Sequence, residues 1–196
     1  MKKRYGLPYQ GSKSQIAEKI VNLLPTASNF YDLFAGGCAV TDCAISKGKY
    51  ENYIVNDVQP LIINIFIDAV NGRYKNEKRW ISREDFLRLK NVDGYVKYCW
   101  SFGNTGNDYL YAREIEPYKK ALHFAIMLDD YSLFNNMGIY PPTNISKDKL
   151  GKWIVNNASL IMECYKKWFV KTFFDKEFDY NIIDRLKEEI EINREH

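Results

Sequence analysis

Apolar positions along the first seventy residues switch between helical and strand spacing. From Ser14 to Leu24, the residues Ile16, Ile20, Leu23 and Leu24 recur on one helical face, with Ser12 or Ser14 as cap and Pro25 as stop. The run Asn29 to Phe34 is short, apolar and aromatic, and enters Gly36-Gly37, which predicts a buried strand leading into a turn. Ala39 to Lys47 is helical in pattern, Tyr50 to Val55 is a second short strand ending in Asn56-Asp57, and Gln59 to Val70 is a further helix. Strand, glycine turn, helix, strand and acid in that order predict a βαβ unit of the doubly wound type.

The pattern changes after Asn71-Gly72. Residues 73–110 are basic, aromatic and rich in loop signals, with Gly94, Gly103 and Gly106 as breakers. Helical spacing returns at 116–130, through Leu122, Ala125 and Ile126. It is strongest at 152–171, where Ile154, Ala158, Ile161, Tyr165, Trp168 and Phe169 share one face. A last helical segment over 176–195 carries Ile182, Ile183, Leu186 and Ile190 and runs to His196 with no cap residue. The expected fold is α/β: a partial Rossmann-like sheet in residues 1–72, followed by a mostly helical, basic and aromatic region over 73–196.

Composition narrows the function. The 196 residues are 46% hydrophobic and 27% charged, which excludes a disordered or low-complexity chain. No run approaches the ~20 apolar residues of a membrane helix, since Leu61 to Val70 is interrupted by Asn64 and Asp68. The basic start Met1-Lys2-Lys3-Arg4 is followed by no apolar stretch, so a signal peptide is not expected and the protein reads as cytoplasmic. The four cysteines include no Cys-x-x-Cys pair, and only two histidines occur, so neither a zinc site nor a His-dependent triad is expected. A net charge of +3 conceals uneven distribution: four positive and no negative charges in 1–13, seven against three in 71–90, and six against two in 146–171. Those segments are either solvated helix faces or contacts for phosphates.

The chemistry concentrates at the strand ends. A turn through Gly36-Gly37 lets a ligand approach backbone that carries no Cβ, and Asp57 lies 21 residues beyond Gly36, the spacing of an acid that accepts from ribose hydroxyls. An adenosine-containing ligand is therefore expected at the carboxyl edge of the sheet. The turn lacks the three spaced glycines that cradle a pyrophosphate and offers Asp32 instead, which suits a cation: a sulfonium cofactor, S-adenosylmethionine, rather than a dinucleotide. Gly6 and Gly11 have the separation of a phosphate loop, but Ser12 stands where a lysine is required, so nucleotide hydrolysis is rejected. The Gly11-Ser12 turn, with Lys13 in the first turn of the following helix, remains a place for an anion or carboxylate.

Three motifs carry a resemblance. Pro8-Tyr9-Gln10-Gly11-Ser12-Lys13, then Phe30-Tyr31-Asp32-Leu33-Phe34-Ala35-Gly36-Gly37, then Val55-Asn56-Asp57 follow the order and spacing of the Dam-type adenine-specific DNA methyltransferases, which the chain resembles, especially their phage-borne members. Lys97 to Asn104 followed by Tyr109-Leu110-Tyr111 is similar to phage members as well. The resemblance implies S-adenosylmethionine as cofactor and double-stranded DNA as partner. It also implies that Tyr9 and Lys13 contact the methionine end, Asp32 its amino group and Asp57 the ribose, while Phe34 and Gly36 line the pocket. It further implies a catalytic Asp/Asn-Pro-Pro-Tyr segment, and none occurs in the 196 residues. Glu116-Pro117-Tyr118 lacks a proline and reads as a helix start, and Tyr140-Pro141-Pro142-Thr143 lacks the acid.

Three readings follow: a piece of a longer methyltransferase that ends before its catalytic motif; a short relative that has become a nucleic-acid- or protein-binding module, such as a phage inhibitor of a host defence system; or a chain whose site a protein partner completes. The basic segments predict nucleic-acid binding that weakens steeply with salt, measured by titration at several salt concentrations. A curve indifferent to salt would point to a protein partner instead.

Overall fold

The computed structural model describes residues 4–142 and 145–173. The expected last helix over 176–195 and Thr143 lie outside the described residues. Those described form a mixed α/β protein in two compact units, one up to Glu116 and one from Pro117 onward. The change of composition at residue 72 falls inside the first unit. Among the described residues no helix is long and apolar enough to cross a membrane.

The first unit opens with α1 (Ala17–Leu23), β1 (Asn29–Asp32), α2 (Ala39–Lys47), β2 (Asn52–Val55) and α3 (Pro60–Val70). β1 and β2 pair in parallel, with Phe30 opposite Tyr53 and Asp32 opposite Val55. Successive strand side chains face opposite ways: Phe30 is buried with Tyr50 and Tyr53, at ring separations of 5.0 and 6.1 Å, while Tyr31 and Ile54 face outward. Pro60 occupies the first position of α3, where its missing N–H has no intrahelical partner to lose.

The helix expected at 14–24 forms, but later and on a different face. Ala17 and Val21 are its buried residues, whereas Ile16 is exposed and Leu23 is 86% exposed. The partner decides this: α1 lies against Ala39, Cys43 and Ala44 of α2, and small residues allow the two backbones to approach. Neither serine caps the helix. Ile16 is the cap residue, and Ser14 Oγ instead accepts from Tyr5 N–H at 2.8 Å.

Residues 73–110 are more helical than their composition predicts. They contain α4 (Arg83–Leu89), α5 (Gly94–Cys99) and a 3-10 turn at Phe102–Asn104. Gly94 begins a helix rather than breaking one, because Asp93 caps it: its Oδ1 accepts from Tyr95 and Val96 N–H at 2.9 and 3.2 Å. Ser82 caps α4 in the same way, accepting from Asp85 N–H at 3.1 Å. Ile81, Phe86, Val96, Trp100 and Tyr109 form a buried cluster beneath these helices, while Ile62 and Ile65 of α3 pack with Tyr98 of α5. Arg83 crosses the cluster, with its Nε 3.2 Å from Glu116 Oε2 and its guanidinium carbon 4.8 Å from the Tyr109 ring centre.

The second unit comprises the rest of α6 (Glu116–Leu128), with α7 (Ser132–Asn136), α8 (Lys147–Asn156) and α9 (Ala158–Phe173). Its core contains Tyr118, Ala125, Phe134, Leu150, Ile161 and Tyr165. The single helix expected at 152–171 is two. Asn157 interrupts it with φ −111° and ψ 17°, its side-chain amide donating to Trp153 O at 2.8 Å, a local bond that competes with helix continuation.

The chain start is locked onto the glycine turn. Leu7 N–H donates to Gly37 O at 2.7 Å and Gly6 N–H to Asp42 Oδ2 at 2.8 Å. Gly6 has φ +71°, and a Cβ there would fall 2.4 Å from Gly37 O and 2.7 Å from Ala39 Cα. Gly6→Ala is expected to cost about 1–3 kcal/mol of stability in urea denaturation; an unchanged midpoint would show that the strap is not fixed this way.

Candidate functional site

The strand ends and the glycine turn form one hydrogen-bonded unit. Asn56 N–H donates to Asp32 O at 2.8 Å, Ala35 N–H to Asn56 O at 3.0 Å, and Asn56 Nδ2 to Leu33 O at 3.1 Å. Asp57 closes the unit: its Oδ2 accepts from Gly36 N–H at 2.8 Å and its Oδ1 from Gln59 N–H at 3.0 Å. Each of these oxygens keeps a lone-pair direction for a further donor. Asp32 is oriented from α2, where the buried Thr41 hydroxyl donates to its Oδ2 at 2.7 Å.

Tyr9 lies across this turn. A Cβ on Gly37 would sit 2.8 Å from Tyr9 Cβ and 3.0 Å from Leu7 O, so the strap can pass only where the side chain is a hydrogen. Ser12 N–H donates to Tyr9 O at 3.1 Å, and Lys13 Nζ turns back to Gly11 O at 3.0 Å. Lys13 therefore belongs to the turn before α1 rather than to the first turn of that helix, which begins at Ala17. No strand precedes this turn among the described residues.

The strap, the glycine turn and the strand ends enclose a cavity of about 280 Å³. All six residues singled out from the sequence line it: Tyr9, Lys13, Asp32, Phe34, Gly36 and Asp57. Phe34 is 90% exposed, which leaves its ring face free for a planar group. The strap from Gln10 to Ser12, Ala35 and Gly37 of the turn, and Ala39 and Val40 of α2 complete the wall.

Thr41 and Asp42, which hold Asp32 and Gly6, were not legible, because on α2 they look like ordinary polar positions. Tyr98 was not legible either; it packs edge-on against Tyr9 at 5.5 Å between ring centres.

Carboxylates cluster about the glycine turn. Cys38, fully buried at the start of α2 with φ +58°, has its thiol pushed up to about 12 by burial and by the charges of Asp32, Asp57 and Asp42. Of these carboxylates Asp32 and Asp57 line the cavity, together with Lys13, whereas Asp42 is engaged by Gly6 N–H.

Neither Glu116 nor Tyr118 is among the residues that line the cavity. Glu116 opens α6 and pairs with Arg83, and Tyr118 is buried in the second unit. Tyr140 is exposed.

The architecture thus defines a mixed α/β protein with a polar, carboxylate-lined cavity at the carboxyl ends of two parallel strands. The chain belongs to the D12 class N6 adenine-specific DNA methyltransferase family, whose model matches residues 9–185. No curated protein and no solved structure gives a significant match to the chain.

Because the Cys38 thiol is both buried and raised, it is expected to resist iodoacetamide at pH 8 in the native protein and to react after denaturation, as mapped by peptide mass. Rapid native labelling would contradict the burial of Cys38 in this turn.

Proposed function

We propose that the cavity binds S-adenosylmethionine and that the chain serves methylation of the exocyclic amine of adenine in double-stranded DNA. The observation that supports this reading is the convergence of three sequence-distant motifs, at residues 8–13, 30–37 and 55–57, on one cavity in a chain of the N6-adenine methyltransferase family. The volume lies near the lower end of small-molecule sites, ~300–1,000 Å³. The donor set fits the cofactor: carboxylates for an ammonium and for ribose hydroxyls, an exposed ring for adenine, and no pyrophosphate cradle.

In this reading the Asp57 carboxylate accepts from the ribose hydroxyls with the lone pairs left by Gly36 and Gln59. Asp32, held by Thr41, faces the amino group of the methionine moiety. Tyr9 and Lys13 close over the methionine end, and Phe34 and Gly36 bound the adenosine. When bound, the cofactor would supply an electrophilic methyl group on a sulfonium, and the carboxylates of the cavity would favour binding of that positive charge. The carboxylate or amide that accepts hydrogen bonds from the adenine amine, normally part of an Asp/Asn-Pro-Pro-Tyr segment, has no counterpart in the 196 residues. The finer fold reading, a Rossmann-type methyltransferase sheet, is part of the same proposal.

Two measurements test it: calorimetric titration with S-adenosylmethionine and transfer of a tritiated methyl group to duplex DNA. Binding with transfer is the full activity. Binding without transfer is a cofactor-holding chain whose amine acceptor comes from elsewhere, and no binding overturns the proposal. Asp57→Ala is expected to lower cofactor affinity by at least ~1–3 kcal/mol, the cost of a lost hydrogen bond to a charged group. Unchanged affinity in that variant would remove Asp57 from the site.

A further inference from the structure

The Tyr9 ring, on the cavity wall, is held by packing and by no hydrogen bond among the described residues. The strap fixes only its backbone, where Tyr9 O accepts from Ser12 N–H at 3.1 Å. The first support of the side chain is the glycine turn. A Cβ on Gly36 would sit 3.2 Å from Tyr9 Cε1, and one on Gly37 would sit 2.8 Å from Tyr9 Cβ. The second is Tyr98, whose ring meets Tyr9 edge-on, with centres 5.5 Å apart and planes inclined at 64°.

Of the two rings, Tyr98 is the better fixed. It is 2% exposed, packs with Ile62 and Ile65 of α3, and its carbonyl accepts from Asn104 Nδ2 at 2.8 Å. The element that carries it, α5, is pressed closely onto α3: a Cβ on Gly94 would fall 2.5 Å from Leu61 O. Edge-to-face aromatic pairs have a preferred geometry, so a half-buried ring against a fixed one takes the orientation that the fixed one sets. Tyr98 is not itself among the residues that line the cavity. Whatever it does to a ligand therefore passes through Tyr9.

We propose that Tyr98 is a positioning residue for cofactor binding: it holds the Tyr9 ring in the orientation that closes the methionine end of the cavity. The proposal rests on the S-adenosylmethionine reading above and adds to it a residue outside the three motifs that converge there. In this role α5 preorganises a wall that it does not form. A wall ordered before the ligand arrives spares binding the entropy of ordering it.

The test is calorimetric titration of the full chain with two ligands: S-adenosylmethionine, and adenosine, which lacks the methionine end. Tyr98→Leu is expected to weaken S-adenosylmethionine binding about three- to tenfold, the range of one aromatic pair, and to leave adenosine binding unchanged. Tyr98→Phe keeps the ring and should match the wild type for both ligands. In a Tyr9→Ala background Tyr98→Leu should cost nothing further, since a residue that acts only through Tyr9 is silent once that ring is gone. Thermal midpoints are measured alongside. Should Tyr98→Leu fail to fold, Tyr98→Met, whose flexible side chain fills irregular gaps, carries the same comparison. Wild-type affinity in Tyr98→Leu, an equal loss for both ligands, or additive losses in the double variant overturns the positioning role while the cofactor reading stands. If the wild-type chain does not bind S-adenosylmethionine, the cofactor reading falls and the positioning role falls with it.

Discussion

The candidate site depends on a backbone contact that tolerates no side chain. Leu7 N–H bonds to Gly37 O, Gly6 presses on the same carbonyl and on Ala39, and Tyr9 crosses Gly37 where a Cβ would collide with it. Two glycines, one on each side of the contact, let a strap from the chain start pass over a turn between strand and helix. Two carboxylates then fasten the ends: Asp42 takes the N–H of Gly6, and Asp57 takes the N–H of Gly36. Without this dovetail the strap that brings Tyr9 and Lys13 over the strand ends would have no fixed path.

The same arrangement sets the electrostatics. Asp57 is at once a clamp on the turn and a carboxylate facing the cavity, and Asp32 is aimed by a buried hydroxyl on the neighbouring helix. Carboxylates placed for structural reasons thus also line the cavity, where Lys13 faces them. Geometry and charge at the turn thus have one origin.

Away from the turn, aromatic residues carry the architecture of the first unit. Tyr98 links the strap to α5, and α5 leads into the restrained loop at 100–110 through Trp100 and Ser101. Trp80 stacks on Tyr111 at 5.8 Å and meets Trp100 edge-on at 5.2 Å, so a segment that reads as basic and loop-like is held by a hydrophobic cluster. Much of the aromatic content of this segment is therefore structural.

The order of β1, the glycine turn, α2 and β2 was legible in the residues themselves, as were six of the residues that line the cavity. Those signals are local: a strand needs its apolar run, a tight turn needs glycine, and an acid at a strand end keeps its place through spacing alone. The burial of Ala17 and Val21 instead of Ile16 and Leu23, the diversion of Ser14 to Tyr5, and the roles of Thr41, Asp42 and Tyr98 were not legible. Each depends on which surface a residue meets after the chain has folded back on itself. Asp93 made Gly94 a helix start, and Asn157 divided a periodic segment, because side-chain hydrogen bonds to the backbone outweighed the local pattern. The sequence by itself determined which residue types stand at the strand ends. Only the tertiary structure decided which of them face one cavity and what holds them there, because that depends on contacts between segments whose distance along the chain no local pattern encodes.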